Sequence, residues 1–413
     1  MIIIIPPTRF MPRAVVVLPS TTYRAHDFVS AAESLGIDLV VASENPPPFD
    51  MGDRYLQIDC SDPQSAADSI TKMGDEVAFD GVVAADDAGV MVASLAGTTL
   101  GLAANKPDAA RATRDKLLLR NRLETAEVPQ PRFVALEPTQ ASAEEIAQAV
   151  GFPLVVKPLS RSASQGVIRV DRPQDLPATI DRVRRIIGDD EHSSRLLLEA
   201  YLPGEEVAVE GLVRNGELMV LAIFDKPDTS KGPSFPETIL VTPSRLSDNS
   251  QQECIRVAEA ALRGLGLTHG PVHIELKIHN GRASVLEVAA RSIGGLCSRS
   301  LNFGLMGTTL ESLILRNAVG MDKPELRREQ HASGVLMIPI PSSGLLGSIE
   351  GIDETLTIPN ITGVDITINV GSEVLAPPEG DRYLGFVFAR ADTPDAVESA
   401  LREAKDTIAV LVT

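Results

Sequence analysis

The chain has 413 residues, of which 44% are hydrophobic and 23% are charged. This length corresponds to about three domains of roughly 150 residues each, and the composition is typical of a folded globular protein rather than a disordered one. The 56 acidic and 38 basic residues give a net charge of −18. That charge argues against general binding to nucleic acid or to an anionic membrane, because both require a basic surface.

Neither the cysteines nor the N-terminus suggests an exported protein. Cys60, Cys254 and Cys297 are far apart in sequence and form neither a disulfide framework nor a zinc motif, which fits a reducing compartment. The apolar run at residues 1–5 ends at Pro6 and Pro7, whereas a signal peptide needs a basic region and a longer apolar one. No run approaches the roughly 20 apolar residues that cross a bilayer. We therefore expect a cytoplasmic protein.

The first hundred residues alternate between strand and helix patterns. We predict strands at residues 13–18, 37–42 and 79–85 and helices at 23–35 and 88–100, which end at Gly36 and Gly101. Such an alternation predicts βαβ units and a parallel sheet, whose ligands lie beyond the carboxyl ends of the strands. The loop at residues 19–22 lacks the Gly-x-Gly-x-x-Gly of a dinucleotide site, and the chain contains no Gly-x-x-x-x-Gly-Lys-Ser/Thr loop.

The rest of the chain has an α+β pattern with antiparallel sheets. Residues 106–126 predict a charged helical stretch, and Ser142 with Glu145 has the capping-box spacing at the start of another helix. Short strands are predicted at 154–157, 166–170, 196–202, 207–213, 218–224, 271–279, 282–291 and 384–390, and helices at 176–187, 309–319 and 394–407. After Lys323-Pro324, the last eighty or so residues predict another small α+β unit.

A possible phosphate-binding segment spans residues 154–167. An apolar strand ends at Lys157, and a loop of small hydroxylated residues follows, with Ser160, Ser162, Ser164 and Gly166. Small residues let backbone N–H groups approach an anion closely, and a lysine supplies a point charge for phosphate oxygens. Taken alone, the segment is more typical of an exposed strand end with a polar turn, because Lys-Pro after a strand is common.

Carboxylates flank the turn that follows the strand at residues 196–202. Glu199 precedes the turn, and Glu205 and Glu206 follow it. Carboxylates at fixed spacing can accept hydrogen bonds from a ribose diol, and the backbone between them can pair with the edge of an adenine. The alternative is a solvent-facing hairpin with a charged rim.

The hairpin at residues 271–291 carries two acids that could share a metal. Alternation places His273, Glu275 and Lys277 on one face of the first strand, and Glu287 and Arg291 on one face of the second. Mg²⁺ prefers oxygen ligands and is held by one or two carboxylates plus substrate phosphates and water. The alternative is a pair of half-exposed acids in surface salt bridges.

The register of this hairpin decides between the two interpretations. With a strict two-residue turn at Asn280-Gly281, Glu275 would face Leu286, and the two acids would point to opposite sides. For both acids to meet one ion, the loop must have an odd count or a bulge that pairs Glu275 with Glu287.

Six segments in this order resemble the motifs of the ATP-grasp superfamily. Each is weak alone, but their common order from residue 114 to residue 291 is a strong signal. The segments are Arg114-Asp115-Lys116 before a helix, Pro129-Gln130-Pro131, Val156-Lys157-Pro158 with its Ser/Gly loop, Leu198 to Glu206, His273 to Lys277, and Leu286 to Arg291.

The resemblance implies an ATP-grasp fold of mixed α/β and α+β class. It consists of an N-terminal parallel-sheet domain at residues 1–105, an ATP-grasp domain at 106–330 with a lid at about 130–203, and a C-terminal α+β domain at 331–413. In such enzymes two antiparallel α+β subdomains grip ATP between them.

The resemblance also implies a role for each matching residue. Lys116 and Lys157 would hold the α- and β-phosphates, and the loop with Ser160, Ser162, Ser164 and Gly166 would close over them. Residues Glu199, Ala200, Tyr201 and Leu202 would border adenine, and Glu206 would bind the ribose. Glu275 and Glu287 would bind Mg²⁺ or Mn²⁺, and Arg291 would steady an acyl phosphate. The sequence departs from the family at Ala289, where the usual motif has an asparagine that ligates metal.

Within the superfamily, the chain looks most like the L-amino acid ligases. The features are the long loop from Phe224-Asp225-Lys226-Pro227 to Val241-Thr242-Pro243-Ser244, the segment Ser292 to Cys297, and the C-terminal unit. They add Glu237, His273, Gly294 and Gly295 as substrate-site candidates, and we interpret Cys297 as a buried structural thiol. The expected substrates are a small-molecule carboxylate and amine, with no nucleic-acid or membrane partner and with a homodimer by analogy.

The resemblance leaves three activities open. The leading one is an ATP- and Mg²⁺-dependent carboxylate–amine ligase that forms an amide or peptide bond through an acyl phosphate. Another ATP-grasp reaction, such as that of phosphoribosylamine–glycine ligase or a biotin-carboxylase-like enzyme, would be favoured by residues in the acceptor pocket that bind a sugar phosphate. A non-catalytic ATP-binding regulator is favoured by Ala289 and disfavoured by Arg291, which a pure binder need not keep.

Overall fold

The fold was analysed in a computed structural model of the full chain. It describes residues 11–20, 22–46, 51–137, 143–188, 195–228, 232–304, 307–321 and 328–413. The apolar run at residues 1–5, the predicted N-cap Ser142 and the predicted boundary at Lys323-Pro324 lie outside the described residues.

A parallel sheet forms the N-terminal part, as predicted. Its elements are β1 (Arg13–Val17), α1 (Ala25–Leu35), β2 (Asp38–Ser43), β3 (Tyr55–Gln57), α2 (Pro63–Glu76), β4 (Gly81–Ala84) and α3 (Val90–Thr99), with strand order β3-β2-β1-β4. The apolar run of β1 is buried from Ala14 to Val17 because helices cover both faces of the sheet. Gly36 ends α1 in the left-handed conformation, at φ 63°.

The predicted helical stretch at residues 106–126 is two helices, not one. They are α4 (Pro107–Ala112) and α5 (Lys116–Thr125). The break occurs because the Asp115 side chain caps α5, accepting hydrogen bonds from the backbone N–H groups of Leu117 (2.8 Å) and Leu118 (3.0 Å). This cap fixes Lys116 at the first position of α5.

The lid is a second, antiparallel sheet with two helices. Its elements are β5 (Phe133–Leu136), α6 (Ala143–Val150), β6 (Leu154–Pro158), β7 (Ile168–Val170), α7 (Leu176–Ile187) and β8 (Leu196–Ala200), with strand order β5-β8-β6-β7. Helix α7 has the predicted bounds, and it buries Leu176, Ile180, Val183 and Ile187 at helical spacing.

A long antiparallel sheet forms the centre of the molecule. Its order is β13-β12-β9-β10-β11-β16-β20-β18. The strands before residue 320 are β9 (Glu205–Arg214), β10 (Glu217–Asp225), β11 (Ile239–Thr242), β12 (His269–His279) and β13 (Arg282–Ala289), with helices α8 (Asp248–Leu265) and α9 (Leu310–Ala318) and a short hairpin of β14 (Asn302–Phe303) and β15 (Thr308–Thr309).

The C-terminal part is α+β, and it continues the central sheet. Strand β16 pairs with β11 in the register Ile239 with Leu336. The elements are β16 (Ala332–Ile338), β17 (Gly344–Glu350), α10 (Ile352–Thr357), β18 (Ile361–Ile366), β19 (Glu373–Val374), β20 (Gly385–Ala391), α11 (Pro394–Thr407) and β21 (Ala409–Val412), with β19-β17-β21 as a separate small sheet. No helix in the described ranges combines the length and apolarity needed to cross a bilayer.

Candidate active site

A cavity of about 350 Å³ lies where all parts of the fold meet. The carboxyl ends of β1 and β4, the loop after β6, the β12–β13 hairpin and the segment before β20 contribute to it. The polar and charged side chains that line it are Thr22, Tyr23, Asp86, Asp87, Arg114, Ser162, Ser164, Glu237, His273, Glu275, Glu287, Arg291, Asp381, Arg382 and Tyr383.

The β12–β13 hairpin pairs the two predicted metal ligands. The turn at Asn280-Gly281 has two residues, since His279 pairs with Arg282, yet Glu275 lies directly opposite Glu287. A bulge at Leu286 makes both possible by shifting the register between Glu275 and Leu276. The bulge alternative is thus confirmed, and both acids line the cavity.

Arg120 holds this bulge in place. Its guanidinium donates to the carbonyl oxygens of Val285 (3.2 Å) and Leu286 (2.6 Å), and its side chain is only 1% exposed. A bulge leaves ladder groups unpaired, and a buried donor that satisfies them stabilises the altered register.

Cations surround Glu275. Its carboxylate lies 3.4 Å from Lys226 Nζ and 3.6 Å from His273 Nε2. Although burial opposes ionisation, Lys226 and His273 hold the pKa of Glu275 well below its usual range. Lys226 also contacts Glu206 and Glu237 at 2.6 Å each. Burial raises the pKa of Glu237, which Lys226 only partly offsets.

His273 is a buried cation beside this acid. Its Nδ1 lies 2.9 Å from Glu210, a fully buried carboxylate that also accepts from the backbone N–H of Ile293 at 3.1 Å. Burial disfavours its charge, but hydrogen bonds to Glu210 and Glu275 raise the pKa of His273 to about 9. Glu210 was not predicted, because its partners lie more than sixty residues away in sequence.

The second acid, Glu287, lines the cavity beside Lys116. Lys116 Nζ lies 3.6 Å from its carboxylate and donates to the Arg161 carbonyl oxygen at 2.6 Å. Ala289 lies opposite His273 and lines the same cavity. Among the described residues no group of three or more His, Cys, Asp and Glu side chains could hold a metal. Two opposed carboxylates nevertheless fit Mg²⁺, which keeps waters and takes further ligands from phosphates.

Lys157 belongs to a buried triad with Glu199 and Arg120. Each cation lies 2.6 Å from the Glu199 carboxylate, whose side chain is 2% exposed. Although burial opposes ionisation, Arg120 and Lys157 lower the pKa of Glu199 to about 2. Both carboxylate oxygens are therefore engaged, and the side chain of Glu199 positions Lys157 rather than facing the cavity.

Arg291 belongs to a second triad, the cavity triad, with Asp87 and Arg114. Asp87 follows β4 and lies 2.9 Å from Arg291 and 3.0 Å from Arg114. Burial opposes its ionisation, but the charges of Arg291 and Arg114 lower the pKa of Asp87 to about 2. Asp87 was not predicted, although its place at the carboxyl end of a parallel strand is a signal for ligand sites.

The other residues predicted to bind ATP differ in their exposure and in whether they line the cavity. Ser162 and Ser164 line the cavity, Ser160 is exposed, and Gly166 adopts a positive φ of 71°. Ala200, Tyr201 and Leu202 are half-buried and are not among the residues lining this cavity. Glu206 lines a neighbouring cavity of about 310 Å³, paired with Lys226 and, at 3.1 Å, with Lys277.

The segment after Arg291 forms one wall of the cavity. Gly294 and Gly295 both line it. Gly295 has a positive φ of 58°, and a Cβ there would lie 2.6 Å from the Phe386 ring, so only glycine fits. Burial raises the pKa of the Cys297 thiol, which keeps it protonated and supports a structural role.

Three segments of the chain match known protein domains. Residues 29–103 match the ATP-grasp N-terminal domain, residues 150–300 match the ATP-grasp domain, and residues 336–413 match the L-amino acid ligase C-terminal domain 2.

Individual proteins show more distant similarity. The uncharacterized protein y4rH of Sinorhizobium fredii is 22% identical over 409 residues, which cover 96% of this chain and 83% of that protein. Alanine–anticapsin ligase of Bacillus amyloliquefaciens is 28% identical over 253 residues, covering 56% of this chain and 52% of the ligase. The chain thus spans about half the length of that ligase.

A solved structure supports the same fold. The L-amino acid ligase from Bacillus licheniformis superposes with a TM-score of 0.80 at 24% identity, over 98% of this chain and 100% of that one. The chain thus contains ATP-grasp domains followed by the C-terminal domain of the L-amino acid ligases, on an ATP-grasp fold.

Proposed function

We propose that the protein is an ATP- and Mg²⁺-dependent carboxylate–amine ligase with an L-amino acid among its substrates. One observation carries the proposal. Glu275, Glu287 and Arg291 share a single cavity with the serines of the loop after β6. A carboxylate pair for a metal, a phosphate loop and a fixed guanidinium are the parts that phosphoryl transfer to a carboxylate requires.

The reaction has two steps. A substrate carboxylate oxygen attacks the γ-phosphorus of ATP, forming an acyl phosphate while ADP leaves. The amine nitrogen then attacks the carbonyl carbon, the amide bond forms, phosphate leaves, and the amine proton passes to solvent. The first step converts a poor electrophile into a reactive one, and each step develops charge that the site must neutralise.

Different residues would bind the phosphates, the metal and the transferred phosphoryl group. Lys157, held by Glu199, and Lys116, beside Glu287, would neutralise the α- and β-phosphates. Arg291, held by Asp87, would steady the transferred phosphoryl group. Glu275 and Glu287 would hold Mg²⁺, which supplies charge neutralisation at the phosphate oxygens when bound. Ser162 and Ser164 would close over the phosphates, since water hydrolyses acyl phosphates.

The nucleoside end of ATP has a separate set of candidates. The backbone of Ala200, Tyr201 and Leu202 would border adenine, and Glu206 would accept from the ribose hydroxyls. Glu206 is 17% exposed and is oriented by Lys226 and Lys277. These roles follow from the family motif.

Two observations favour this activity over its rivals. Asp87 keeps Arg291 in the cavity, although a protein that only binds ATP has no need of that cation. The match of residues 336–413 to the L-amino acid ligase C-terminal domain supports an amino-acid substrate rather than a sugar phosphate.

The test is a screen of amino-acid pairs with ATP and Mg²⁺. ADP release is measured, and amide products are identified by mass spectrometry. We expect ADP release that depends on both amino acids, with one amide formed per ADP, and no such release from Arg291→Ala. ADP release at the amino-acid-free background for every pair would contradict the proposal and favour a regulator.

A further inference from the structure

The segment at residues 376–383, here called the C-terminal loop, contacts the lid directly. The backbone N–H of Gly166 donates to the Pro378 carbonyl oxygen at 2.9 Å, and Gln165 Nε2 donates to the Glu379 carbonyl oxygen at 2.8 Å. The Arg182 guanidinium of α7 binds the Glu379 carboxylate through two nitrogens, at 2.7 and 3.0 Å. Two of these contacts are made by the loop after β6 itself.

The same loop enters the cavity. Asp381, Arg382 and Tyr383 line it together with Ser162 and Ser164. Arg382 Nε donates to the Tyr23 hydroxyl at 3.2 Å, which joins the loop to the N-terminal part. The backbone N–H of Glu237 donates to the Tyr383 hydroxyl, also at 3.2 Å, which joins it to the central sheet. One short segment thus touches the lid, the N-terminal part and the cavity wall.

The C-terminal loop has a preset shape. The backbone N–H groups of Glu379 and Gly380 both donate to the Ala376 carbonyl oxygen, at 3.1 and 3.0 Å. A side chain at Gly380 would overlap the Leu375 carbonyl oxygen. These contacts fix the turn between Ala376 and Gly380, so the backbone itself places Glu379 beside the lid.

We propose that the C-terminal loop is a latch, with Glu379 as a positioning residue that holds the loop after β6 over the cavity. The effect of the latch on catalysis rests on the proposed ligase function. In a ligase, a latched lid protects the acyl phosphate from water until the amine reacts. Because the loop also lines the cavity, a ligand that orders Asp381 to Tyr383 stabilises the closed lid, and closing the lid strengthens that ligand's binding in return.

The physical test is hydrogen exchange of the Gly166 amide, which donates across the latch. Full-length wild type, Glu379→Ala, Arg182→Ala and the double variant are compared with a non-hydrolysable ATP analogue and Mg²⁺ bound. Each single variant should speed Gly166 exchange about 2- to 5-fold, the range for an exposed ion pair. The double variant should match the singles, because both changes remove one interaction. Arg182→Lys should recover part of the protection.

Arg172→Ala is the matched control. Arg172 also forms a two-nitrogen ion pair, with Asp175 at 2.8 and 3.1 Å, but this pair stays within the lid. It should leave Gly166 exchange at the wild-type rate. Unchanged exchange in Glu379→Ala, or an equal increase in Arg172→Ala, would overturn the latch.

The functional test separates the latch from the activity itself. With ATP and an equimolar mixture of the standard amino acids, Glu379→Ala should release more ADP per amide formed than wild type. ATP affinity should fall by no more than about the same 2- to 5-fold, because Glu379 does not line the cavity and acts only through the loop after β6. A wild type that forms no amide would refute the ligase while exchange still decides the latch. An active wild type with equal ADP-to-amide ratios in both proteins would refute only the latch.

Discussion

The buried triad and the cavity triad have the same composition and different surroundings. Each places one carboxylate between two cations, at 2.6 Å on both sides of Glu199 and at 2.9 and 3.0 Å around Asp87. Arg120 and Glu199 are 1% and 2% exposed, whereas Arg114 is 26% exposed and opens into the cavity. The first triad therefore fixes the position of Lys157 and the hairpin bulge, and the second leaves cationic surface for a ligand.

The largest expected effect concerns the stability of the buried triad. Glu199→Gln should lower the free energy of unfolding by about 3–5 kcal/mol, because it leaves two buried cations without their counter-charge. Asp87→Asn should cost less, about 1–3 kcal/mol, since Arg114 reaches the cavity. Urea unfolding of the two variants and wild type measures both losses. Equal losses of unfolding free energy would show that the difference in exposure between the two triads does not affect stability.

Lowering the pH should destabilise the wild-type protein through protonation of Glu199. The pKa of Glu199 is lowered from 4.5 to about 2 on folding, so the unfolded chain binds this proton more readily than the folded protein. Its contribution to stability is fully present above about pH 4.5 and is lost as the pH falls toward 2. Unfolding curves in urea between pH 6 and pH 2.5 should show this loss. Glu199→Gln should flatten that dependence, and a slope identical to wild type would contradict it.

Arg291 of the cavity triad should affect the rate of the reaction more than the stability of the fold. Arg291→Ala should lower the rate of ADP release at least ~100-fold, the scale for one preorganised donor in the transition state. ATP affinity should change little, because the proposed mechanism assigns Arg291 to the transferred phosphoryl group and not to the nucleotide that stays bound. Arg291→Lys should recover only part of the rate, since a point charge does not replace the planar fork. Wild-type turnover in Arg291→Ala would make this residue structural.

Replacing Lys157 should weaken ATP binding, the property that Arg291→Ala should leave nearly unchanged. Lys157→Ala removes a charge-assisted contact to phosphate and should weaken ATP binding by about 1.5–3 kcal/mol. The protein should stay folded, because Glu199 keeps its ion pair with Arg120. Lys116→Ala should weaken ATP binding in the same way, since Lys116 lies 3.6 Å from the Glu287 carboxylate, which lines the cavity. Isothermal titration with ATP measures the loss, and unchanged affinity in both variants would refute the phosphate roles.

Local patterns predicted the elements that depend on nearby residues. Helix α11 begins at Pro394 with Thr393 as its cap, and both the cap and the apolar spacing are visible in sequence. Helix α8 was missed, although Cys254, Val257, Ala258 and Ala261 repeat at helical spacing and are buried. The pairing of β11 with β16 joins residues almost a hundred positions apart, and no local pattern carries such information.

The residues of the candidate site show the same difference between local and long-range information. The motifs identified Lys157, Glu275, Glu287 and Arg291, because family spacing is local. Asp87, Arg120 and Glu210 were not predicted, because each contacts a site candidate that only the fold brings near. The bulge at Leu286 shows the limit clearly. The sequence allowed either register, and the contact from Arg120, 166 residues away, favours the bulged one.

The smallest expected effect tests the departure from the family at Ala289. This residue lies one pleat beyond Glu287, lines the cavity, and is 4% exposed. Ala289→Asn would add an amide oxygen of the kind that Mg²⁺ accepts. We expect the Mg²⁺ concentration for half-maximal ADP release to fall about 10-fold, comparable to the smaller effects of groups that support a metal site. Ala289→Leu is the matched control, because it adds similar volume without the oxygen. An equal change in both variants would assign the effect to space rather than ligation. An unchanged Mg²⁺ requirement in Ala289→Asn would contradict a metal position within reach of residue 289.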